Sequence, residues 1–372
     1  MSVWRKKPVS HFERDMKKND LNRVLGRWGL TSLGIGAIIG GGIFTLTGIA
    51  AHDHAGPALA LSFVIAGVGC LFASLCYAEF SSILPVEGSA YAYSYGTIGE
   101  LFAWIIGWNL ILEYMMGATT VAVAWSGYFE KLLHQFHIDP PMWLMNDMVT
   151  AAAKAKEAGI AAPEFAFNLP AFLITWVVTG ILVKGIKEAA KTNNLIVILK
   201  VAVVLFVIFV GFFFIDTDNY QPFIPKQVIN PDGSSSFGWS GVVTAATIVF
   251  FAYIGFDAVS TQAGEAINPK KDVPFAIIMS LVICTILYIV VSLVLTGMVP
   301  YNQLDIKAPV ASAFEGVGMP WATVLITIAA VAGLTSVMLV MMLGQTRIFL
   351  GMAKDGLLPF NVFGKIHETY KT

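Results

Sequence analysis

The sequence predicts an all-α, polytopic membrane protein, and three observations predict it. Hydrophobic residues make up 56% of the chain and charged residues 13%, with a mean hydropathy of +0.72; an ordinary soluble domain is about one quarter charged. Apolar runs of about 20 residues recur, each long enough to cross a hydrocarbon core of roughly 30 Å. The third observation is the run Gly34-Ile-Gly-Ala-Ile-Ile-Gly-Gly-Gly-Ile-Phe44, which sets five glycines inside the first apolar segment. Each interior glycine weakens a helix by about 1 kcal/mol relative to alanine. A helix broken at membrane depth is tolerated only where it lines a cavity, and there its free N–H groups become ligands.

In chain order, residues 1–28 form a polar, basic segment, too long and too charged for a cleaved signal peptide. Eight spans follow, roughly at 29–50, 58–83, 99–128, 169–185, 193–215, 240–263, 274–299 and 320–344. Residues 29–215 hold the first five, 240–344 the next three, and 345–372 form a tail. Eight crossings leave both termini on one side. With the N-terminus cytoplasmic, the outer segments hold only Lys131, Lys154, Lys156, Lys226 and Lys307, and most other Lys and Arg residues fall inside. The positive-inside rule therefore places both ends in the cytoplasm, in a plasma (inner) membrane protein.

The outer segments include an Ala-rich stretch near 142–166 and the turn material Asn230-Pro-Asp-Gly-Ser-Ser-Ser236. The inner linker Pro85-Val-Glu-Gly-Ser-Ala-Tyr-Ala-Tyr-Ser-Tyr95 alternates aromatic and small residues, which predicts a packed re-entrant or interfacial segment. Cys70, Cys76 and Cys284 fall within spans and give no disulfide framework or metal spacing. Gly34-x-Gly36-x-x-x-Gly40 lacks the βαβ context and spacing of a dinucleotide site, and His52-Asp-His54 reads as a solvated helix end. No cofactor, metal, nucleic acid or enzymatic chemistry is expected.

Many transporters pair one interrupted helix in each of two inverted halves. If the first span breaks at Gly40–Gly42, its partner is a later span that crosses in the opposite direction. The sixth fits: it opens the second half and carries Gly255 in Phe251-Ala-Tyr-Ile-Gly-Phe-Asp257.

Glu79, Glu113, Lys200 and Asp257 lie at or near membrane depth. A charge at the bilayer centre costs at least ~2.5–3.5 kcal/mol, so such residues face a cavity or a partner. Lys200 is either a proton-exchanging group or a structural cation on the carbonyls of the first break. Glu113 either meets a cationic substrate side chain or pairs within the bundle. Asp257 either couples protons or caps the interrupted helix, and Glu79 reads as an inner-gate residue.

Together, Gly34–Phe44, Pro85-x-x-Gly-Ser-x-Tyr-x-Tyr, Glu113-Tyr114, Phe251–Asp257, Gly344-Gln-Thr-Arg347 and Asp355-Gly-Leu-Leu-Pro359 resemble the amino acid–polyamine–organocation superfamily. Within it, the chain is most similar to the bacterial cationic amino acid transporter branch. The resemblance implies the LeuT-like transporter fold of five plus five inverted-repeat helices, with the substrate between the first and sixth. It implies that N–H groups of Ile39, Gly41, Gly42 and Ile43 bind the substrate α-carboxylate. Carbonyls of Phe250, Phe251, Tyr253 and Ile254 would receive the α-ammonium, and Lys200 falls at the fifth-helix lysine to which the family assigns the coupling proton.

Three departures stand out. Gly41 replaces a common Thr or Ser, Asn109 replaces a frequent acid, and the chain ends after the eighth span, so the second repeat is expected to be incomplete. The function implied is proton-coupled symport of L-amino acids by alternating access. The alternatives are exchange or facilitated flux without protons, and a non-transporting partner subunit. The expected partners are the amino acid, protons and the bilayer.

Overall fold

The computed structural model describes residues 4–17, 21–229, 235–306 and 308–367. Most of the turn predicted at Asn230–Ser236, Lys307 and the last residues of the tail lie outside them. Val228–Ile229 and Ser235–Ser236, which flank that turn, pair antiparallel.

Helices occupy every predicted span position. The first span is Arg27–Ile38 followed, after a break, by helical turns as far as Ala55. Leu59–Ile83, Glu100–Gln135, Leu169–Val183 and Ile186–Gly211 form the second to fifth spans. Gly238–Phe250 with its continuation to Thr261, Pro269–Met298 and Pro320–Lys354 form the sixth to eighth. Among the described residues, six helical stretches are long and apolar enough to cross a membrane. The first of them, Arg27–Ile83, covers two span positions, and Leu169–Val183 is a shorter apolar helix. As one straight helix the 57 residues of Arg27–Ile83 would reach about 85 Å, so the stretch must fold back, and it does so at Gly56-Pro57.

Contacts along the sixth span fix the directions of its neighbours. Its first turn meets the far end of the first span, where Phe237 N donates to His54 O at 2.8 Å. Its last turns meet the near end, where Gly255 lies on Ala37. The first and sixth spans therefore run in opposite directions, as an inverted pair requires. The second span runs with the sixth: Ser62 Oγ donates to Val242 O at 2.9 Å, and the Tyr77 and Phe256 rings lie 5.7 Å apart. Lipid gives helices little hydrophobic reason to associate, so small residues and hydrogen bonds of this kind carry the packing.

The face bearing the N-terminal segment is closed by polar contacts. Lys7 and Tyr91 both bond Asp355, just beyond the eighth span, while Lys354 bonds Glu87. Val24 N and Leu25 N donate to Glu265 O at 3.0 Å, and Ile267 N returns the bond to Leu25 O. Beneath them Arg347 Nη2 meets Glu265 Oε1 at 2.5 Å, with both side chains buried. The Pro85–Tyr95 linker continues as the helix Ala90–Thr97, which buries Tyr91, Tyr93 and Tyr95.

On the opposite face the Ala-rich stretch, expected as a loop, forms the helix Met148–Glu157. Alanine is the strongest helix former, and Asp147 caps the helix by accepting from Val149 N and Thr150 N at 2.9 and 3.0 Å. The Thr150 hydroxyl, and then those backbone bonds, hold its carboxyl below the usual carboxylate range.

The buried Arg347–Glu265 pair makes a direct prediction. Arg347→Met leaves Glu265 as a buried, unpaired charge and should destabilise the protein by about 3–5 kcal/mol. Adding Glu265→Leu should restore most of the loss. Melting curves of the purified single and double variants in detergent check this, and a double variant no better than the single one contradicts it.

Candidate functional site

The two breaks face each other. Arg27–Ile38 ends at Ile39, whose backbone is extended (φ −75°, ψ 104°), and helical turns resume at Gly41–Gly42. The break thus centres on Ile39–Gly40, slightly earlier than the sequence predicts, because Gly41 already has helical dihedrals (φ −54°, ψ −25°). The sixth span tightens to a 3₁₀ turn over Phe251–Tyr253, turns extended at Ile254 (ψ 133°), and passes through Gly255 at φ +110°. Only glycine adopts that last conformation without strain. A Cβ at Gly42 would lie 2.5 Å from Ala252 Cβ, so the glycine allows the two breaks to touch.

Lys200 of the fifth span lies beneath the first break, fully buried. Its Nζ donates to Gly36 O at 2.8 Å, Ile39 O at 2.7 Å and Ser336 Oγ at 3.1 Å. An ammonium has three donors, and all three are used. Ser336 of the eighth span also reaches Gly36 O at 2.8 Å and Asn193 Oδ1 at 3.0 Å, while Asn193 Nδ2 donates to Ser32 O at 3.1 Å. From the seventh span, the Tyr288 hydroxyl lies 2.8 Å from Ile38 O and 3.1 Å from Ala252 O. The orphan carbonyls of the first break are therefore held by protein.

The N–H side is arranged differently. Ile39 N–H donates to Ile35 O at 3.0 Å and closes the preceding helix. This corrects the expectation that it is a free donor; the carbonyl of Ile39 is its contribution. Gly41, Gly42 and Ile43 occupy the first turn of the resumed helix, where no earlier helical carbonyl faces their N–H groups. Gly41 and Gly42 are half-buried and Ile43 is buried. On the sixth span, Phe251 O already accepts Ile254 N–H at 3.3 Å, and its second lone pair remains. Phe250 and Phe251 have exposed side chains, Tyr253 is buried and Ile254 half-buried.

Asp257 does not cap the short helix Ala258–Thr261 with its side chain. Its Oδ2 accepts the Tyr114 hydroxyl at 2.6 Å, tying the third span to the sixth just past the break. Glu113, the neighbour of Tyr114, has an exposed side chain and lies within electrostatic reach of Asp257. Glu79 is likewise exposed.

On the face opposite the N-terminal segment, a cavity of about 540 Å³ leads down to Thr45 and Ile49 of the first span's second half. Tyr128 forms one wall, its hydroxyl 3.1 Å from both Thr45 Oγ1 and Phe44 O. The Glu130–Lys154 ion pair, at 2.7 Å, lies at the rim.

Tyr288, Ser336 and Asn193 are absent from the sequence-based reading. Tyr288 did leave a signal, as a lone tyrosine in the middle of an aliphatic span, away from the interfaces that tyrosine prefers. Ser336 left none, since a serine in a membrane helix is common.

The profile of the amino acid permease family matches residues 25–372. Over 373 residues the chain is 47% identical to the branched-chain amino acid permease BcaP of Bacillus subtilis (strain 168), covering 100% of this chain and 76% of that protein. It is 44% identical over 371 residues to the methylthioribose transporter of the same organism, with the same coverage. It is 40% identical over 360 residues to cationic amino acid transporter 9, chloroplastic, of Arabidopsis thaliana, covering 96% of this chain and 59% of that one. Among solved structures, MhsT in complex with L-phenylalanine is similar with a TM-score of 0.61 at 16% identity, over 89% of this chain and 75% of that one. That likeness establishes the LeuT-type fold.

The contact at Gly42 is testable by packing alone. Gly42→Ala forces the breaks apart and should destabilise the protein by about 1–3 kcal/mol. Ala252→Gly in the same chain should recover only part of it, because the Cα of residue 252 would still lie 2.7 Å from the new Cβ. A melting-temperature cycle over the two single variants and the double variant reads the coupling, and strictly additive losses contradict the contact.

Proposed function

Because the chain belongs to the amino acid permease family, within the amino acid–polyamine–organocation superfamily, we propose that it is a secondary active transporter of L-amino acids. The substrate carboxylate binds the N–H groups of Gly41, Gly42 and Ile43, at the positive end of a half-helix. The α-ammonium binds the carbonyls of Phe250, Phe251, Tyr253 and Ile254. The observation that carries this reading is the opposition of the two breaks, with carbonyls of the first engaged by Lys200 and Tyr288 while N–H groups of its resumed helix have no helical partner. The cavity above Thr45 supplies the approach from the outer side, both termini being cytoplasmic in a plasma membrane.

Transport is coupled to protons through Lys200 and Asp257. Each is buried at a break and hydrogen-bonded to a different span, so a change of protonation acts on the break itself. A second reading is exchange without protons. It draws on the saturation of Lys200 by three acceptors, which suits a fixed structural cation. The identity to a methylthioribose transporter adds a substrate alternative that has no carboxylate.

Proteoliposomes separate these readings. With one proton per substrate, an inward gradient of about one pH unit should sustain about tenfold accumulation of a labelled branched-chain amino acid, since about 1.4 kcal/mol is a factor of ten. Lys200→Ala should abolish the dependence on the gradient. Accumulation that ignores the gradient but requires internal amino acid establishes exchange. Competition by methylthioribose, with none by amino acids, overturns the carboxylate site.

A further inference from the structure

We infer that the Tyr288 hydroxyl is a clasp that holds the two helix breaks in register, and so positions both halves of the site. Its functional consequence rests on the transport reading above; its structural content does not.

The hydroxyl touches two carbonyls that belong to different moving parts. Ile38 O closes the helix before the first break, and Ala252 O sits in the 3₁₀ turn that leads into the second. A phenol has a single proton to donate. It can serve both acceptors only while they stay within about 3 Å of the same oxygen, or alternate between them. Ala252 is also the residue on which Gly42 rests, so clasp and contact lie at the same crossing.

The ring has no freedom to follow one break away from the other. Tyr288 is completely buried, with its ring 5.3 Å from that of Phe63 and 5.5 Å from that of Tyr253. Tyr253 is itself pinned, its hydroxyl donating to Phe63 O at 3.0 Å. The oxygen is therefore a fixed point to which both breaks are tied. Separating the first and sixth spans must leave one of the two carbonyls without its donor in a medium that offers no replacement. The hydroxyl thus opposes independent movement of the two half-sites.

Hydrogen exchange of the reconstituted protein tests the clasp without reference to substrate. Tyr288→Phe keeps the ring contacts and removes the donor. Amides around residues 36–43 and 250–258 should both exchange faster, by about tenfold, the factor for one hydrogen bond. Ser62→Ala, which removes a buried hydroxyl-to-carbonyl bond between the second and sixth spans, should leave both segments near the wild-type rate. Should Tyr288→Phe fail to fold, 3-fluorotyrosine at position 288 keeps the shape, strengthens the donor and should slow both segments. A change in one segment only, in neither, or equally in the Ser62 variant overturns the clasp. In uptake, Tyr288→Phe should raise the half-saturating amino acid concentration about tenfold with the maximal rate within about twofold. Loosened breaks with unchanged half-saturation overturn the positioning role. A wild-type protein that takes up no amino acid refutes the transport reading, and the exchange rates still decide the clasp.

Discussion

Backbone groups inside a bilayer must find partners within the protein, and a helix broken at membrane depth creates orphans of both kinds. The rest of this structure is organised around that demand. On the carbonyl side of the first break, Gly36 O, Ile38 O and Ile39 O are reached by Lys200, Ser336 and Tyr288 from the fifth, eighth and seventh spans. Three helices thus converge on three carbonyls. The N–H side, across Gly41 to Ile43, receives no comparable set of acceptors from them. A break supplied on one side has a polarity, and the proposed binding of a substrate carboxylate draws on it.

The same asymmetry extends along the membrane normal. On the N-terminal face, the Lys7–Asp355–Tyr91 and Lys354–Glu87 contacts are largely buried, and the fully buried Arg347–Glu265 pair lies beneath them. The segment before the first span is stitched to the segment after the sixth through Leu25 and Glu265. Since these are the ends of the two broken helices on the N-terminal face, closing that face also fixes the ends between which the breaks are strung. On the opposite face, the cavity above Thr45 remains open between the first and third spans. The arrangement is open to one side and locked on the other.

Much of the architecture was legible because hydropathy and glycine act locally. Apolar runs set the span positions, and Gly34–Gly42 with Gly255 marked the two weak helices, since few other residues permit a φ of +110° or a backbone contact such as that of Gly42 on Ala252. The exact register of the first break was not legible, because Gly40, Gly41 and Gly42 are equivalent in propensity and only tertiary contacts choose among them. Ile39 shows the same limit: whether an amide is free depends on where the preceding helix stops, and here it stops one residue later than a free donor needs. Ser336 meets Lys200, and Asn193 meets the first span, from distant parts of the chain, a convergence that no local pattern encodes. The exposure of Glu113 was not legible either, since a carboxylate in an apolar run reads the same whichever flank of its helix it occupies.

Donor counting gives the proposed proton coupling a mechanical form. As an ammonium, Lys200 has three N–H bonds for three acceptors, and the first break is fully held. As a neutral amine it has two, and the amine lone pair faces a ring of oxygens. At least one of Gly36 O, Ile39 O or Ser336 Oγ then loses its donor in a site where water does not replace it. Ser336 can turn its own proton to Gly36 O, which it already reaches at 2.8 Å, leaving the two amine N–H bonds for Ile39 O and Ser336 Oγ, so the loss falls on Asn193 Oδ1, which Ser336 reaches at 3.0 Å. Ile39, the extended residue at the centre of the break, then depends on one of the two N–H bonds that remain, next to the first turn of the resumed helix. Release of one proton would therefore cost the network beneath the first break one of its bonds, which is where a change must act if it is to alter hold on a substrate and access to it together.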